Sequence, residues 1–276
     1  MKKKLLITVT AVLAAFTLAA CGNSNKSKSA DGNTIVKVGV VGTDDRIWDN
    51  IASRAKKEKI DIKLVHFTDY DQPNAALKSG QIDLNAFQHF YFLDQWNKAN
   101  NGSIKSIGKT VLAPIRLYPG KGVSKLSDIK KGAQIVIPND PTNEGRALTL
   151  LQTAGLIKLK KAALPTPNDI KENKLGLKIV PVDAAQTARQ LSSVAAAVVN
   201  DSTAQDAKLK ESSAIYIEPV NKASQEWINI IAANSKDLNN PTYKKVVNLY
   251  QTQTTKDLLK KVYGDTEIPA WDINLK

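Results

Sequence analysis

The chain has 276 residues, 42% hydrophobic and 24% charged, so it can bury a sizeable core and is neither a disordered polymer nor a small disulfide scaffold. Its 39 Lys and Arg residues outnumber its 26 Asp and Glu residues, and the formal net charge of +13 favours anionic surfaces. Cys21 is the single cysteine, which excludes an internal disulfide, and with only two histidines no metal site is expected. The length predicts about two domains.

The N-terminus has the features of an export signal. Lysines at positions 2–4 precede an apolar stretch that ends in Leu18-Ala19-Ala20-Cys21 and is shorter than the ~20 residues of a membrane span. This ending resembles a bacterial lipobox. The resemblance implies a cleaved signal peptide, residues 1–20, and a lipid anchor of diacylglycerol and palmitate on Cys21, at the extracytoplasmic face of the cell membrane. An exported chain is not expected to meet nucleic acid.

A polar segment follows the signal. Residues 22–34 contain no large apolar side chain, so they cannot offset the entropy of ordering. We therefore predict a flexible tether over 21–34, with a folded body that begins at Ile35. No later stretch has the ~18 apolar residues of a membrane span.

Short apolar runs alternate with longer amphipathic stretches from Ile35 onward, which is typical of an α/β fold with parallel strands. A segment at 111–118, broken by Pro114, is predicted to cross between two lobes. Strands are predicted at 35–41, 60–67, 82–87, 135–137, 177–182, 195–199 and 228–232. Helices are predicted at 47–57, 73–80, 91–99, 141–154 and, as one or two, within 243–263.

Three motifs in this body carry a resemblance to a known family. They are TDYDQPN at 68–74, GQIDLNAFQH at 80–89 and IPNDPTNEGRAL at 137–148. Behind a lipobox, they resemble the MetQ/NlpA family of methionine-binding lipoproteins, which are the substrate-binding components of ABC importers. The likeness runs from about Ile35 to the C-terminus.

The resemblance implies a two-lobed α/β fold of the periplasmic-binding-protein type II, in which hinged lobes close over one amino acid. Lobe borders are predicted at 35–112 plus 229–276 for the first lobe and 113–228 for the second. The expected ligand is L-methionine or a close analogue. The expected partners of this monomer are an ABC permease, its ATPase subunit and the membrane that holds the lipid anchor.

A free amino acid is a zwitterion, so its binder needs a cation for the carboxylate, acceptors for the ammonium and a pocket for the side chain. Arg146 is predicted to lie in a helix capped by Asp140, where its guanidinium can grip a carboxylate bidentately. An arginine at an arbitrary position is more simply explained by a surface ion pair. The surrounding motif favours a contact with the ligand carboxylate over a surface ion pair.

Asparagines follow or interrupt several apolar runs, at the strand ends where open α/β sheets bind ligands. Their amides both donate and accept hydrogen bonds, although turns and caps are their ordinary role. The resemblance implies ligand contacts for Asn200 and Asn229. Asn139 and Asn143 are interpreted as loop and cap residues.

Four aromatic side chains are the candidate walls of a side-chain pocket: Phe67, Tyr70, Phe87 and His89. Aromatic faces suit a thioether, since sulfur near a ring contributes ~0.3–1.5 kcal/mol. Phe87 and His89 are two positions apart, so they face the same side of an extended segment. Core packing of the phenylalanines and a helix-capping role for His89 are the alternatives.

One stretch, 223–229, departs from the family pattern. The family usually shows a Ser-Pro-Tyr type sequence before the asparagine of the returning strand, and here Trp227 stands in place of the tyrosine. The ligand therefore stays open between methionine, a methionine-containing dipeptide and another amino acid.

An enzyme and an adhesin are the other functional classes. A hydrolase needs a nucleophile, a base and an orienting acid, but the only thiol is the predicted lipid site, and no Gly-x-Ser-x-Gly motif accompanies His89. Neither catalysis nor a cofactor is therefore expected. A surface adhesin would share the anchor and the basic charge, but it does not need the motif around Arg146.

Overall fold

A computed structural model of the chain describes residues 28–275. The predicted signal peptide, Cys21 and the first part of the predicted tether lie outside the described residues. Within 28–275, no helix combines the length and the apolar character needed to cross a membrane.

The described residues form thirteen strands and seven α-helices. The strands are β1 Thr34–Val41, β2 Ile60–Phe67, β3 Leu84–Asn85, β4 Ile104–Leu112, β5 Arg116–Pro119, β6 Gln134–Pro138, β7 Lys158–Leu159, β8 Ile170–Glu172, β9 Lys178–Val182, β10 Ala196–Val199, β11 Tyr216–Ile217, β12 Ile228–Asn234 and β13 Ile268–Pro269. The helices are α1 Arg46–Ala55, α2 Gln72–Ser79, α3 Phe90–Asn100, α4 Pro141–Thr153, α5 Asp201–Asp206, α6 Pro241–Tyr250 and α7 Gln253–Tyr263.

Two mixed sheets divide the molecule into two lobes. Lobe 1 holds six strands in the order β13-β4-β12-β3-β1-β2, and lobe 2 holds five in the order β11-β5-β10-β6-β9. The chain crosses from lobe 1 to lobe 2 between β4 and β5 and returns between β11 and β12. Each sheet is packed against its own helices around a separate apolar core. The fold is a two-lobed α/β fold, as the sequence predicts.

Helix ends follow from local sequence. In α1, the apolar side chains of Ile47, Ile51 and Ala55 recur at helical spacing and are buried in the core of lobe 1. At the start of α4, the Asp140 carboxylate accepts the backbone N–H of Asn143 at 3.0 Å, and a proline occupies the first turn. This cap fixes the first turns of α4 at the interface between the lobes.

Strand direction is where the sequence pattern misleads. β1 pairs in parallel with β2 and β3, and β6 with β9 and β10, as the alternating pattern predicts. However, β12 is antiparallel to both of its neighbours, and β5 is antiparallel to β10. The long strand β4 is absent from the predicted elements. Antiparallel strands with one solvated face carry weaker apolar runs than buried parallel strands, so they give a weaker signal.

The last part of the predicted tether is ordered. The N–H of Gly32 donates to the carbonyl of Ser29, and the N–H of Ser29 donates to the carbonyl of Asn33, both at 2.9 Å. The Ser29 hydroxyl also accepts the Asn33 N–H at 3.1 Å, so polar side chains build the turn without apolar burial. The flexible tether over 21–34 stays a prediction. The predicted lobe borders stay a prediction.

Candidate functional site

A cavity of about 160 Å³ lies between the lobes, at the carboxyl ends of β1 and β10. At roughly 10–15 Å³ per water molecule, this volume accommodates on the order of ten water-sized groups. Hydrogen bonds close the lobes over it: Tyr70 Oη lies 3.1 Å from Ser202 Oγ, and Thr43 Oγ1 donates to Asp206 Oδ1 at 2.8 Å. The cavity is thus a partly open space between two lobes that hydrogen bonds hold together.

Three aromatic rings of lobe 1 form one wall of the cavity. The ring centroids of Tyr70 and Phe87 are 6.0 Å apart, and the Phe92 ring of α3 lies edge-on to both, at 6.2 and 5.7 Å. Burial raises the pKa of Tyr70 to about 12, so its hydroxyl stays protonated. Two of these rings are predicted from the sequence, and Phe92 is not.

Phe67 does not line the cavity, contrary to the expectation from the sequence. It ends β2 on the same face as Val65, because side chains alternate along a strand. That face packs against a core cluster that includes Leu77 and Ile82. The ring of Phe67 is therefore part of the core.

His89 both caps a helix and lines the cavity. It is the N-cap of α3, where its Nδ1 accepts the Phe92 N–H at 3.0 Å. Burial, together with the nearby charge of Arg146, lowers the pKa of His89 to about 3, so the ring is neutral. Since Nδ1 is an acceptor, Nε2 carries the proton and points toward Asn143 Oδ1, 3.4 Å away.

Asn143 organises the polar wall contributed by lobe 2, a role that the sequence interpretation as a cap residue misses. Its Nδ2 donates to both oxygens of Asp140 at 3.0–3.1 Å, which leaves Oδ1 to accept from other groups. Asn200 Nδ2 donates to that oxygen at 3.0 Å. As a result the Asn200 Oδ1 atom is buried and has no hydrogen-bond partner among the described residues.

Groups on the two connections between the lobes form hydrogen bonds with the Arg146 guanidinium. Its Nε and Nη2 donate to the carboxylate of Glu218, and Nη2 also donates to the carbonyl of Ala113 at 3.1 Å. The guanidinium lies over the Trp227 ring, 4.7 Å from its centroid. Nη1 has no hydrogen-bond partner within residues 28–275 and is the part of the group that remains for the cavity.

These contacts change the bidentate contact with a ligand carboxylate that is predicted for Arg146. A bidentate contact through Nη1 and Nη2 is not available, because Glu218 and Ala113 use the hydrogens of Nη2. The two hydrogens of Nη1 remain, and the charge of the guanidinium is shared with a carboxylate that is 14% exposed. We therefore expect a one-nitrogen contact to an anionic ligand group.

Asn229 belongs to the same wall as His89. It lies in β12, forms a bridge with His89, and lines the cavity with a half-buried side chain. Within the described part of the chain, its amide makes no side-chain hydrogen bond. Its amide is therefore free to meet a ligand, and the ligand contact predicted for Asn229 stays a prediction.

Three buried amides position the segment that carries Phe87 and His89. Asn74 and Gln88 exchange hydrogen bonds of 2.7 Å, and Asn85 bonds to both at 2.9 Å. All three side chains are buried. Because buried polar groups are costly to leave unpaired, this network fixes the segment rather than merely filling space.

The far end of the cavity is acidic. Gln205 Nε2 donates to Asp201 at 2.6 Å and to Glu267 at 2.9 Å, joining carboxyl groups of lobe 2 and lobe 1. Burial raises the pKa of both groups, and the charge of Asp201 raises the pKa of Glu267 further. An ion pair of 3.0 Å with Arg116 opposes the rise at Asp201. The folded protein thus retains a proton here that the unfolded chain would release.

Stability is therefore expected to fall as the pH rises through the folded-state pKa of Glu267. A carboxyl group with a raised pKa contributes stability below its unfolded pKa, and that contribution is lost at higher pH. Glu267→Gln mimics the protonated form, so its Tm should vary with pH less than that of the parent, by a few °C between pH 5 and 9. The exposed Glu226→Gln is the control in the same melting series. Parallel pH profiles for parent and Glu267→Gln would contradict the assignment.

Comparison with known proteins agrees with this geometry. The model of the family described as NlpA lipoprotein matches residues 36–271. The chain belongs to the NlpA lipoprotein family. It is 38% identical over 278 residues to the D-methionine-binding lipoprotein MetQ of Salmonella typhi, covering 98% of this chain and 99% of that protein. For the protein of the same name from Escherichia coli K12 the identity is 37%, with the same coverage.

Solved structures of similar proteins share the fold. The substrate-binding protein of a methionine transporter from Streptococcus pneumoniae has a TM-score of 0.83 and 42% identity, covering 87% of this chain and 96% of that one. A nutrient-binding protein from Burkholderia cenocepacia bound to methionine has a TM-score of 0.81 and 42% identity, covering 85% and 99%. The family and the fold predicted from the motifs are confirmed.

Proposed function

We propose that this chain is the substrate-binding protein of an ABC importer, which binds L-methionine between its lobes and delivers it to the permease. It is held by lipid on Cys21 at the extracytoplasmic face of the membrane and acts as a monomer. Its partners are the permease and the ATPase subunit. It returns its ligand chemically unchanged, so it is not an enzyme.

The observation that carries this proposal is a pair of groups without hydrogen-bond partners among the described residues, both belonging to side chains that line one cavity. Arg146 Nη1 offers two N–H donors and a positive charge to a carboxylate. Asn200 Oδ1 is a buried acceptor without a partner among the described residues, which suits an ammonium group. Asn229 supplies a second free amide nearby. These groups fit the two charges of a zwitterion.

The remaining part of the ligand meets the aromatic wall. Tyr70, Phe87 and Phe92 present ring faces and edges to the cavity, where a thioether gains ~0.3–1.5 kcal/mol per ring contact. His89 is neutral, so it adds no charge that would attract an acidic side chain. The site proposed for methionine therefore comprises Tyr70, Phe87, Phe92, His89, Asn143, Arg146, Asn200 and Asn229.

Ligand size explains why the site lies between two lobes. Methionine has about nine non-hydrogen atoms, and a ceiling of ~1.5 kcal/mol per atom allows about 13 kcal/mol. Micromolar binding already needs ~8 kcal/mol. Most atoms of the ligand must then be in contact, which an open groove on one lobe does not provide.

Thermal shift with defined ligands tests the proposal. At a hundredfold excess over Kd, a ligand stabilises its binder by ~2.7 kcal/mol, and Tm rises accordingly. We expect Tm to rise with L-methionine and to stay unchanged with glutamate. Parallel measurements with D-methionine and with a methionyl dipeptide determine which stereoisomer and which ligand length the protein prefers. Mass spectrometry of the released ligand should show it unchanged. No response to any of the methionine ligands would refute the proposed function.

Tryptophan fluorescence should report binding. Trp227 touches Arg146 and lies edge-on to His89 at 5.0 Å, so filling the cavity changes its surroundings. We expect L-methionine to shift the emission of the parent and to shift that of Trp227→Phe less, with the remaining change coming from Trp48, which lines the cavity. Trp96→Phe, which removes a ring of the lobe 1 core, is the matched control and should retain the change. Equal changes in both variants would assign the signal to another tryptophan.

A further inference from the structure

Five lysines surround the point where the N-terminal segment enters the fold, and we call this group the basic face: Lys28, Lys56, Lys57, Lys59 and Lys245. All are exposed, and within residues 28–275 only Lys245 forms an ion pair, with Glu58 at 2.9 Å. The other acidic residues of this region are Asp31 and Asp61, and Asp61 is already paired with Lys63 at 3.0 Å. Lysine therefore predominates on a surface that has no role in the cavity.

The connection to the N-terminus is fixed at the basic face. The Thr34 N–H donates to the carbonyl of Lys59 at 2.9 Å, and Lys28 forms a bridge with Thr34. Cys21 precedes Lys28 by seven positions, a length of chain that spans at most ~25 Å. A lipid on Cys21 therefore keeps these lysines within a short distance of the bilayer surface.

We propose that the basic face is a contact surface for the anionic phospholipid headgroups of the membrane that carries the lipid anchor. Each lysine near an anionic bilayer strengthens partitioning by about fivefold, and the attraction acts within a Debye length of ~8 Å. The short tether allows the lysines to come within that range and keeps them near the bilayer when they leave it. The proposal goes beyond ligand binding: it rests on the lipid anchor at Cys21 from the proposed function, but not on which ligand fills the cavity.

The position of the basic face sets an orientation. It lies at the amino end of β1, whereas Gly42 and Thr43, just beyond the carboxyl end of β1, line the cavity. The eight residues of β1 separate the two ends by about 26 Å. Contact through the basic face therefore turns the cleft away from the bilayer, so it describes the chain while it collects a solute and must be released before delivery to the permease.

Co-sedimentation with vesicles tests the proposal. The chain from residue 21 onward with Cys21→Ser, which cannot be lipidated, is mixed with vesicles of phosphatidylcholine alone or with an equal part of phosphatidylglycerol. We expect binding only to the second kind, weakened by salt. K56Q/K57Q/K59Q should lower the partition coefficient roughly tenfold or more. The matched variant K130Q/K131Q/K174Q removes three exposed, unpaired lysines of lobe 2 and should stay within about twofold of the parent.

Two measurements separate this inference from other effects. Both variants should keep the parent's Tm and its affinity for methionine, so a failure of the proposed function leaves the vesicle result intact. If the change at Lys59, whose φ is +57°, lowers Tm, K56Q/K57Q replaces the triple variant. Equal losses in the two triple variants, or binding to a soluble polyphosphate but not to vesicles, would overturn the proposal.

Discussion

Arg146→Lys is expected to raise the Kd for methionine roughly thirtyfold, which corresponds to about 2 kcal/mol. Lysine keeps the positive charge beside Glu218. However, its single nitrogen cannot replace Nη1, which reaches the cavity, while also replacing Nε and Nη2, which contact the Glu218 carboxylate and the Ala113 carbonyl. Isothermal titration calorimetry with L-methionine measures the change. Lysine is preferred to alanine because a buried carboxylate left without its partner costs several kcal/mol of folding free energy.

The matched control for this prediction is Arg189→Lys. Arg189 is exposed and forms no ion pair or side-chain hydrogen bond within the described chain, so its replacement should leave Kd and Tm unchanged. Parent-like affinity in Arg146→Lys, with the control behaving as expected, would remove the carboxylate contact from the proposed site.

Asn200→Ala is expected to weaken methionine binding by a similar factor, about 2 kcal/mol, through the loss of an acceptor for the ligand ammonium. The fold should tolerate the change, because Asn143 Oδ1 still has His89 Nε2 within 3.4 Å when the amide of Asn200 is gone. Calorimetry gives the affinity and a melting curve gives the stability.

Asn248→Ala serves as the control for this variant. Asn248 is exposed on α6 and makes no side-chain hydrogen bond among residues 28–275, so neither Kd nor Tm should change. A loss of Tm in Asn200→Ala with unchanged affinity would show that the amide supports the lobe rather than the ligand.

The sequence predicts elements best where burial on both faces or a cap dominates. β2 and α4 lie where the apolar run and the Asp140-Pro141 pair place them. β4 is missed because Gly108 interrupts its pattern, and the reason for that glycine is tertiary: a Cβ there would lie 2.5 Å from Val247 of α6. The local pattern shows the interruption, but it does not show the distant helix that requires it.

The site residues also divide into those that local motifs predict and those that only tertiary contacts bring to the cavity. Tyr70, Phe87 and His89 are predicted because their motif and spacing are local. The partner of Arg146 is not, since Glu218 is 72 positions away and meets it only through the folding of the second connection between the lobes. Asn143 looks like an ordinary cap residue in sequence, and only the orientation that Asp140 imposes on its amide makes it part of the cavity wall.

The groups that contact Arg146 lie on the two connecting segments that join the lobes. Ala113 belongs to the outgoing connection, and Glu218 and Trp227 belong to the returning one. A ligand that attracts the Arg146 guanidinium therefore also acts on the two connections between the lobes. We therefore expect occupancy of the cavity to change the angle between the lobes, because a small shift at these connections moves the rim of the cleft farthest.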